Sequence, residues 1–181
     1  VIDVVYNPLR TSLVSQALSL GIKAQGGLYM LVAQAVYASE FFIGCEYDKS
    51  IIETVYKGLL REKTNIVLTG MPACGKSTIG VLLAKTMLCE FVDTDLIIQN
   101  KYKKSLCEII AEEGLDAFKE KENSVLRELQ GENCVIATGG SAVYCREGME
   151  NLMKNGKVVY LKLSPNEIKG RIKNIKTRGI A

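Results

Sequence analysis

Apolar positions along this chain follow two rhythms, and the change between them divides it. In the first third the spacing is mostly helical. Leu13 to Leu20 read as a short helix stopped by Gly21, and Gly26-Gly27 turn into an apolar helix from Leu28 to Phe42 that Gly44 ends. A further helix over 50–61 carries Ile51, Ile52, Val55, Tyr56, Leu59 and Leu60 on one side. Only the first six residues read as extended chain, a strand stopped by Asn7-Pro8. From Thr64 onward, short apolar runs alternate with helical patterns. The strands are Asn65–Thr69, a run beginning at Glu90, Asn133–Ala137 and Lys157–Leu163. Between them lie the 79–87 helix, a helix opened by the capping box Ser105-Leu106-Cys107-Glu108, and a longer helix from about Leu115 to Leu129. Ser164-Pro165-Asn166-Glu167 opens one more. Strand–helix alternation predicts an α/β fold, a parallel sheet with helices on both faces. The predicted domains are 1–62 and 63–181.

The first strand of the second domain runs directly into Gly70-Met71-Pro72-Ala73-Cys74-Gly75-Lys76-Ser77, the pattern G-x-x-x-x-G-K-S, and a helix follows. Strand, glycine-bounded loop and helix in that order make a phosphate cradle. Loop N–H groups and the positive helix end converge on the anion, and the glycines let phosphate approach the backbone. Lys76 brings a point charge to the outer phosphates and the Ser77 hydroxyl suits Mg²⁺. The motif therefore predicts a nucleoside triphosphate site. Glu90-Phe91-Val92-Asp93-Thr94-Asp95 is a strand ending in two acids, where open α/β sheets bind ligands. In extended chain Asp93 and Asp95 share a face, which suits one metal contact and one base. A helix N-cap explains the same acids equally well. Thr138-Gly139-Gly140 ends the third strand, and there a ligand contact and a plain tight turn stay open together.

Composition narrows the partners. A formal charge of +3 without a run of five Lys/Arg argues against nucleic acid. The most apolar windows fall short of a membrane span. Six scattered cysteines without a C-x-x-C pair fit a reducing cytoplasm rather than a disulfide or zinc framework. The chain has no histidine, which removes Ser-His and Cys-His catalysis but not phosphoryl transfer.

Residues 64–181 resemble shikimate kinase. The resemblance rests on the cradle, Asp93-Thr94-Asp95, Phe118 with Glu122, the Thr138-Gly139-Gly140 turn, and Arg171 and Arg178 in a basic terminal segment. It implies a P-loop, nucleoside-monophosphate-kinase-like domain with a five-stranded parallel sheet, using ATP and Mg²⁺ to phosphorylate the 3-hydroxyl of shikimate on the way to chorismate. Implied for ATP are Ala73, Cys74, Gly75, Lys76, Ser77, Thr78, Arg171 (on adenine) and Arg178 (on the transferring phosphate). For the metal they are Ser77 and Asp93, and for shikimate Asp95, Lys119, Gly139, Gly140 and Ser141, with Lys76, Asp95 and Arg178 catalytic. Two positions depart from the family: Lys119 stands where an arginine grips the shikimate carboxylate, losing the two-pronged fork. Ser141 stands where the third glycine of a Gly-Gly-Gly turn is usual.

The first domain resembles the carboxyl end of a shikimate dehydrogenase, on Asp3-Val4-Val5-Tyr6-Asn7-Pro8-Leu9, Thr11, Ala17, Gly21 and the run Gly26-Gly27-Leu28-Tyr29-Met30-Leu31-Val32-Ala33-Gln34-Ala35. That implies the end of a Rossmann domain, with Gln34 on the shikimate hydroxyls, Tyr6 near the substrate, and Gly27 and Met30 near the nicotinamide of NADP. Packing accounts for Met30 and Gln34 equally well. The expectation is a piece of a bifunctional polypeptide: a dehydrogenase tail fused to most of a monomeric kinase, with a fifth strand, a second carboxylate-binding arginine and a closing helix due after Ala181. Such a piece should fold marginally and turn over slowly. Two alternatives remain, another small-metabolite P-loop kinase and a nucleotide-binding module without catalysis.

Overall fold

The computed structural model describes residues 1–171, and the chain separates into two compact units, Val1–Thr64 and Asn65–Ala181. The first is helical, with α1 (Ser12–Ser19), α2 (Leu28–Ile43) and α3 (Ser50–Lys63). The Thr11 hydroxyl caps α1 by accepting from the Val14 N–H, and it donates to the Asp3 carboxylate. Gly44, at φ 72°, closes α2 in the left-handed conformation that a glycine adopts without strain. Tyr29 and Tyr56 meet edge-on with centroids 5.3 Å apart, joining α2 to α3 over the buried Leu28, Val32 and Ile52. Residues 1–6 do not form the strand that their apolar run suggests. Only an isolated parallel bridge from Ile2 to Gln25 forms, because among the described residues of this unit no other strand offers a ladder.

In the second unit four strands, β1 (Asn65–Thr69), β2 (Glu90–Asp93), β3 (Cys134–Ala137) and β4 (Gly156–Tyr160), form one parallel sheet in the order β2-β3-β1-β4. Its helices are α4 (Lys76–Met87), α5 (Thr94–Tyr102), α6 (Leu106–Glu128), α7 (Arg146–Asn155) and α8 (Pro165–Arg171). Side chains alternate across the sheet as its pleat requires. Leu68 and Val135 pack with Ala84 of α4 on one face, while Val67 and Ile136 pack with Leu126 of α6 and Leu152 of α7 on the other. Ile98, Ile109, Phe118 and Val125 form a satellite core between α5 and α6. The two helices expected around Ser105 and Leu115 are both present, as two segments of α6 that meet at Gly114, whose φ of 87° and ψ of 169° are not helical. Helix α7 has no counterpart in the sequence reading. The basic terminal segment, expected over 171–179 as a lid over the phosphates, lies outside the described residues after Arg171, and Arg178 with it.

Candidate active site

The carboxyl ends of β1, β2 and β3 carry the chemistry. Leaving β1, the chain passes Gly70 at φ 147°, Ala73 at φ 64° and Gly75 at φ 98° before α4 begins at Lys76. The Lys76 ammonium turns back into this loop and donates to the Gly70 carbonyl at 2.7 Å and the Met71 carbonyl at 3.1 Å. With Lys76 only 9% exposed, those two carbonyls hold its charge where loop N–H groups also gather. One residue on, the Ser77 hydroxyl donates to Asp93 Oδ2 at 2.8 Å. Hydroxyl and carboxylate oxygens are the donors a hard cation such as Mg²⁺ takes, so the pair predicted to share the metal is assembled here. The Arg171 guanidinium donates to the Cys74 carbonyl at 3.4 Å, which brings α8 onto the cradle.

Asp93 and Asp95 do not share a face of an extended strand. Helix α5 begins at Thr94, and Asp93 caps it by accepting from the Asp95 N–H at 3.0 Å. The capping and ligand-binding readings of Asp93 both hold, since its second oxygen is the one facing Ser77. The helical turn instead sends Asp95 toward the end of β3. Burial pushes the Asp95 carboxyl up to about 6, the neighbouring Asp93 charge adds to the rise, and Lys76 opposes it. Its Oδ1 is buried without a hydrogen-bond partner among the described residues.

Gly139 is where the second set of residues converges. Its N–H donates to the buried Thr94 hydroxyl at 3.1 Å, which ties the β3 exit to the start of α5. A Cβ at Gly139 would fall 2.2 Å from Glu122 Oε1 and 2.8 Å from Asp95 Oδ1, so only a glycine passes between the two carboxyl groups. At Gly140 a Cβ would meet Pro72 Cγ at 2.7 Å, which presses this turn against the cradle. Glu122, on α6, is 0% exposed, and its Oε1 likewise has no hydrogen-bond partner among the described residues. Burial raises its pKa, with the Asp95 charge adding to the rise and the Ser141 hydrogen bond opposing it. Ser141 donates to Glu122 Oε2 at 2.5 Å, and the Cys145 thiol lies 3.8 Å from the same oxygen.

Lys119 lies next to the buried Phe118 on α6 and pairs with Asp116 at 3.2 Å. Arg178 lies outside the described residues. The structure thus brings together Lys76, Ser77, Asp93, Asp95, Gly139, Gly140 and Ser141. In the other unit, Gln34 of α2 is exposed. Sequence reasoning noted Glu122 only as part of a resemblance and missed Thr94 altogether. A threonine at an N-terminal helical position after a capping acid gives no sign that its hydroxyl will meet a strand 45 residues away.

A P-loop feeding a helix, beside a four-stranded parallel sheet with acids at its carboxyl ends, defines a nucleotide-dependent phosphotransferase fold. A family model described as shikimate kinase matches residues 72–181. The shikimate kinase of Bacillus cereus (strain AH187) is 40% identical over 114 residues, 63% of this chain and 69% of that protein. That of Clostridium botulinum (strain Eklund 17B / Type B) is 41% identical over 100 residues, 55% of this chain and 60% of that protein. Among solved structures, shikimate kinase from Acinetobacter baumannii in complex with shikimate superposes with a TM-score of 0.62 at 34% identity, covering 67% of this chain and 68% of that one. The Aquifex aeolicus vf5 enzyme gives 0.57 at 31% identity, covering 64% and 70%. The chain belongs to the shikimate kinase family, and its α/β fold and kinase function are those of that family.

Proposed function

We propose that the second unit transfers the γ-phosphoryl of ATP to the 3-hydroxyl of shikimate. The observation that carries this reading is the meeting of Asp95 and Gly139 beside the Ser77–Asp93 pair, which sets an acceptor site next to a phosphate cradle. In this reading Ala73 to Thr78 bind the nucleotide phosphates, and Lys76 leaves its carbonyl partners to meet the outer phosphates. Ser77 and Asp93 would hold Mg²⁺, which supplies positive charge to the phosphates when bound. Asp95 accepts the proton of the attacking hydroxyl; a carboxyl raised to about 6 is a better base than an ordinary aspartate and remains mostly ionised at neutral pH. Lys119 can leave Asp116 for the shikimate carboxylate, since an exposed ion pair holds it by only about 0–1 kcal/mol. Arg171 joins the nucleotide side, where its guanidinium already touches the cradle. Arg178 is assigned to the transferring phosphate on the resemblance alone. The kinase unit acts as a monomer on a small-molecule substrate, in the cytoplasm. Among the described residues no helix is long and apolar enough to cross a membrane.

The deciding measurement is ADP release from Mg·ATP with and without shikimate. Release that requires shikimate supports the reading. Release driven equally by other small alcohols favours a different metabolite kinase, and nucleotide binding without release favours a non-catalytic module.

For the first unit we propose the closing piece of an NADP-dependent shikimate dehydrogenase. Its support is the motif resemblance together with a tight seat at Gly27, where a Cβ would fall 2.0 Å from the Val4 carbonyl oxygen. Tyr6, Met30 and Gln34 are exposed, as residues facing a ligand would be. Sequencing the flanking DNA tests this. An in-frame upstream segment with a glycine-rich dinucleotide loop supports the fusion, and its absence removes it.

A further inference from the structure

Thr94 stands between the two acids of the site, yet its hydroxyl is bonded to the backbone of a different segment. It is the first residue of α5 and is 0% exposed. The ladder between β2 and β3 ends at Asp93 and Ala137, because the chain turns from β2 into α5 at that point. The exit of β3 therefore has no strand beside it on the β2 side, and its N–H groups need other acceptors. Thr138 is tied toward the cradle: its N–H and its hydroxyl both donate to the Leu68 carbonyl at 3.1 Å. Gly139 is tied the other way, its N–H donating to the Thr94 hydroxyl at 3.1 Å. A competing acceptor lies close to that N–H. A Cβ at Gly139 would fall 2.8 Å from Asp95 Oδ1, an oxygen buried without a partner among the described residues. Cβ and N branch from the same Cα, so a backbone rotation at Gly139 carries its N–H toward that oxygen. Glycine resists such a rotation less than any other residue.

We propose that Thr94 is a positioning residue for the acceptor site: by holding the Gly139 N–H, its hydroxyl keeps that donor off Asp95 and leaves Oδ1 open to a hydroxyl of the substrate. The role rests on the shikimate kinase reading above. A carboxylate oxygen already taken by a backbone donor is a poorer acceptor for a second hydroxyl and a weaker base. Without the Thr94 hydroxyl the Gly139 N–H is buried and unpaired, Asp95 Oδ1 is the acceptor beside it, and the substrate loses its own.

The test is shikimate and ATP binding by calorimetry on the whole chain, with the parent, Thr94→Val, Thr94→Ser, Asp95→Asn and the double variant Thr94→Val with Asp95→Asn. Valine keeps the volume of threonine and removes the hydroxyl, whereas serine keeps the hydroxyl and gives up the methyl. Thr94→Val should weaken shikimate binding about tenfold, the worth of one hydrogen bond, while ATP affinity stays within about twofold. Thr94→Ser should bind shikimate nearly as the parent does. A role in packing alone predicts the reverse order, because the methyl is then what matters. Asp95→Asn removes the charged acceptor, so adding Thr94→Val to it should cost little further shikimate affinity, a coupling that loosening of the turn does not produce. Should Thr94→Val fold poorly, Thr94→Ala removes the same hydroxyl and is held to the same split between the two ligands. Unchanged shikimate affinity without the hydroxyl, equal losses for shikimate and ATP, a Thr94→Ser loss as large as that of Thr94→Val, or an undiminished Thr94→Val penalty beside Asp95→Asn overturns the positioning role alone. A parent chain that binds no shikimate overturns the substrate reading and the role with it.

Discussion

The nucleotide cradle and the acceptor pocket lie side by side, yet they are held in opposite ways. The cradle comes from one continuous stretch, Gly70 to Thr78, and is internally satisfied: its buried lysine donates to two carbonyls of its own loop. The acceptor pocket is assembled from four segments, the β2–α5 junction, the middle of α6, the β3 exit and the turn after it. It keeps two buried carboxyl oxygens, on Asp95 and Glu122, without hydrogen-bond partners among the described residues. Buried polar atoms left unpaired cost about 1–3 kcal/mol each, so the pocket stores an unfavourable electrostatic state that hydroxyl donors of a substrate can relieve. In the proposed reading a nucleotide therefore relies on local backbone geometry, while recognition of the acceptor depends on long-range packing.

The sharpest way to break that contrast is Gly139→Ala. Its Cβ would press on both unpaired carboxyl oxygens, so overpacking of roughly 1–3 kcal/mol is expected, with shikimate binding lost and ATP binding largely kept. Calorimetry with each ligand checks it, and parallel losses of both would mean that the two regions are one unit. The reciprocal change is Lys76→Ala, which should weaken ATP by about 1–3 kcal/mol through loss of a charge-assisted contact. Shikimate binding without nucleotide should hardly change, and the same titrations measure it.

The pocket's electrostatics allow a pH test. Asp95 has a folded-state value of about 6 against 3.8 in its ordinary state, so the fold favours its protonated form. That contribution is fully present below pH 3.8 and is lost as pH rises through about 6. Asp95→Asn removes the ionisation, so the variant should gain stability relative to the parent between pH 4 and 7, by about 1–3 kcal/mol after allowing for partial solvent access. Thermal melts of both proteins across that range measure the difference; a constant gap would show that Asp95 ionises freely. The smallest expected effect is at Lys119. Lys119→Arg should lower the KM for shikimate modestly by restoring the two-pronged contact, and Lys119→Ala should raise it, each with little change in the KM for ATP. Steady-state kinetics check this, and an unmoved shikimate KM returns Lys119 to the solvated face of α6.

The same contrast explains what could be seen without coordinates. The cradle was legible residue by residue because its function is written in consecutive φ/ψ demands, visible in Gly70, Gly75 and the helix they open. The parallel sheet was legible from the alternation of short apolar runs with helices, and the Ser105 capping box from its spacing. Helix α7 was missed although Met149, Leu152 and Met153 stand at helical spacing, because those three are the only large apolar residues in a short, otherwise polar segment. The extended strand predicted at residues 1–6 failed because an isolated apolar run has no ladder of its own. Sequence alone determined which residues could meet phosphate, since backbone conformation is a local property. Only tertiary packing decided that Asp95 turns through the first turn of α5 to face Gly139, that Glu122 is buried beside it, and that Ser141 serves that carboxyl. Those contacts join residues far apart in sequence, 19 positions for Ser141 and Glu122, and burial, which no short motif encodes, gives them their energy.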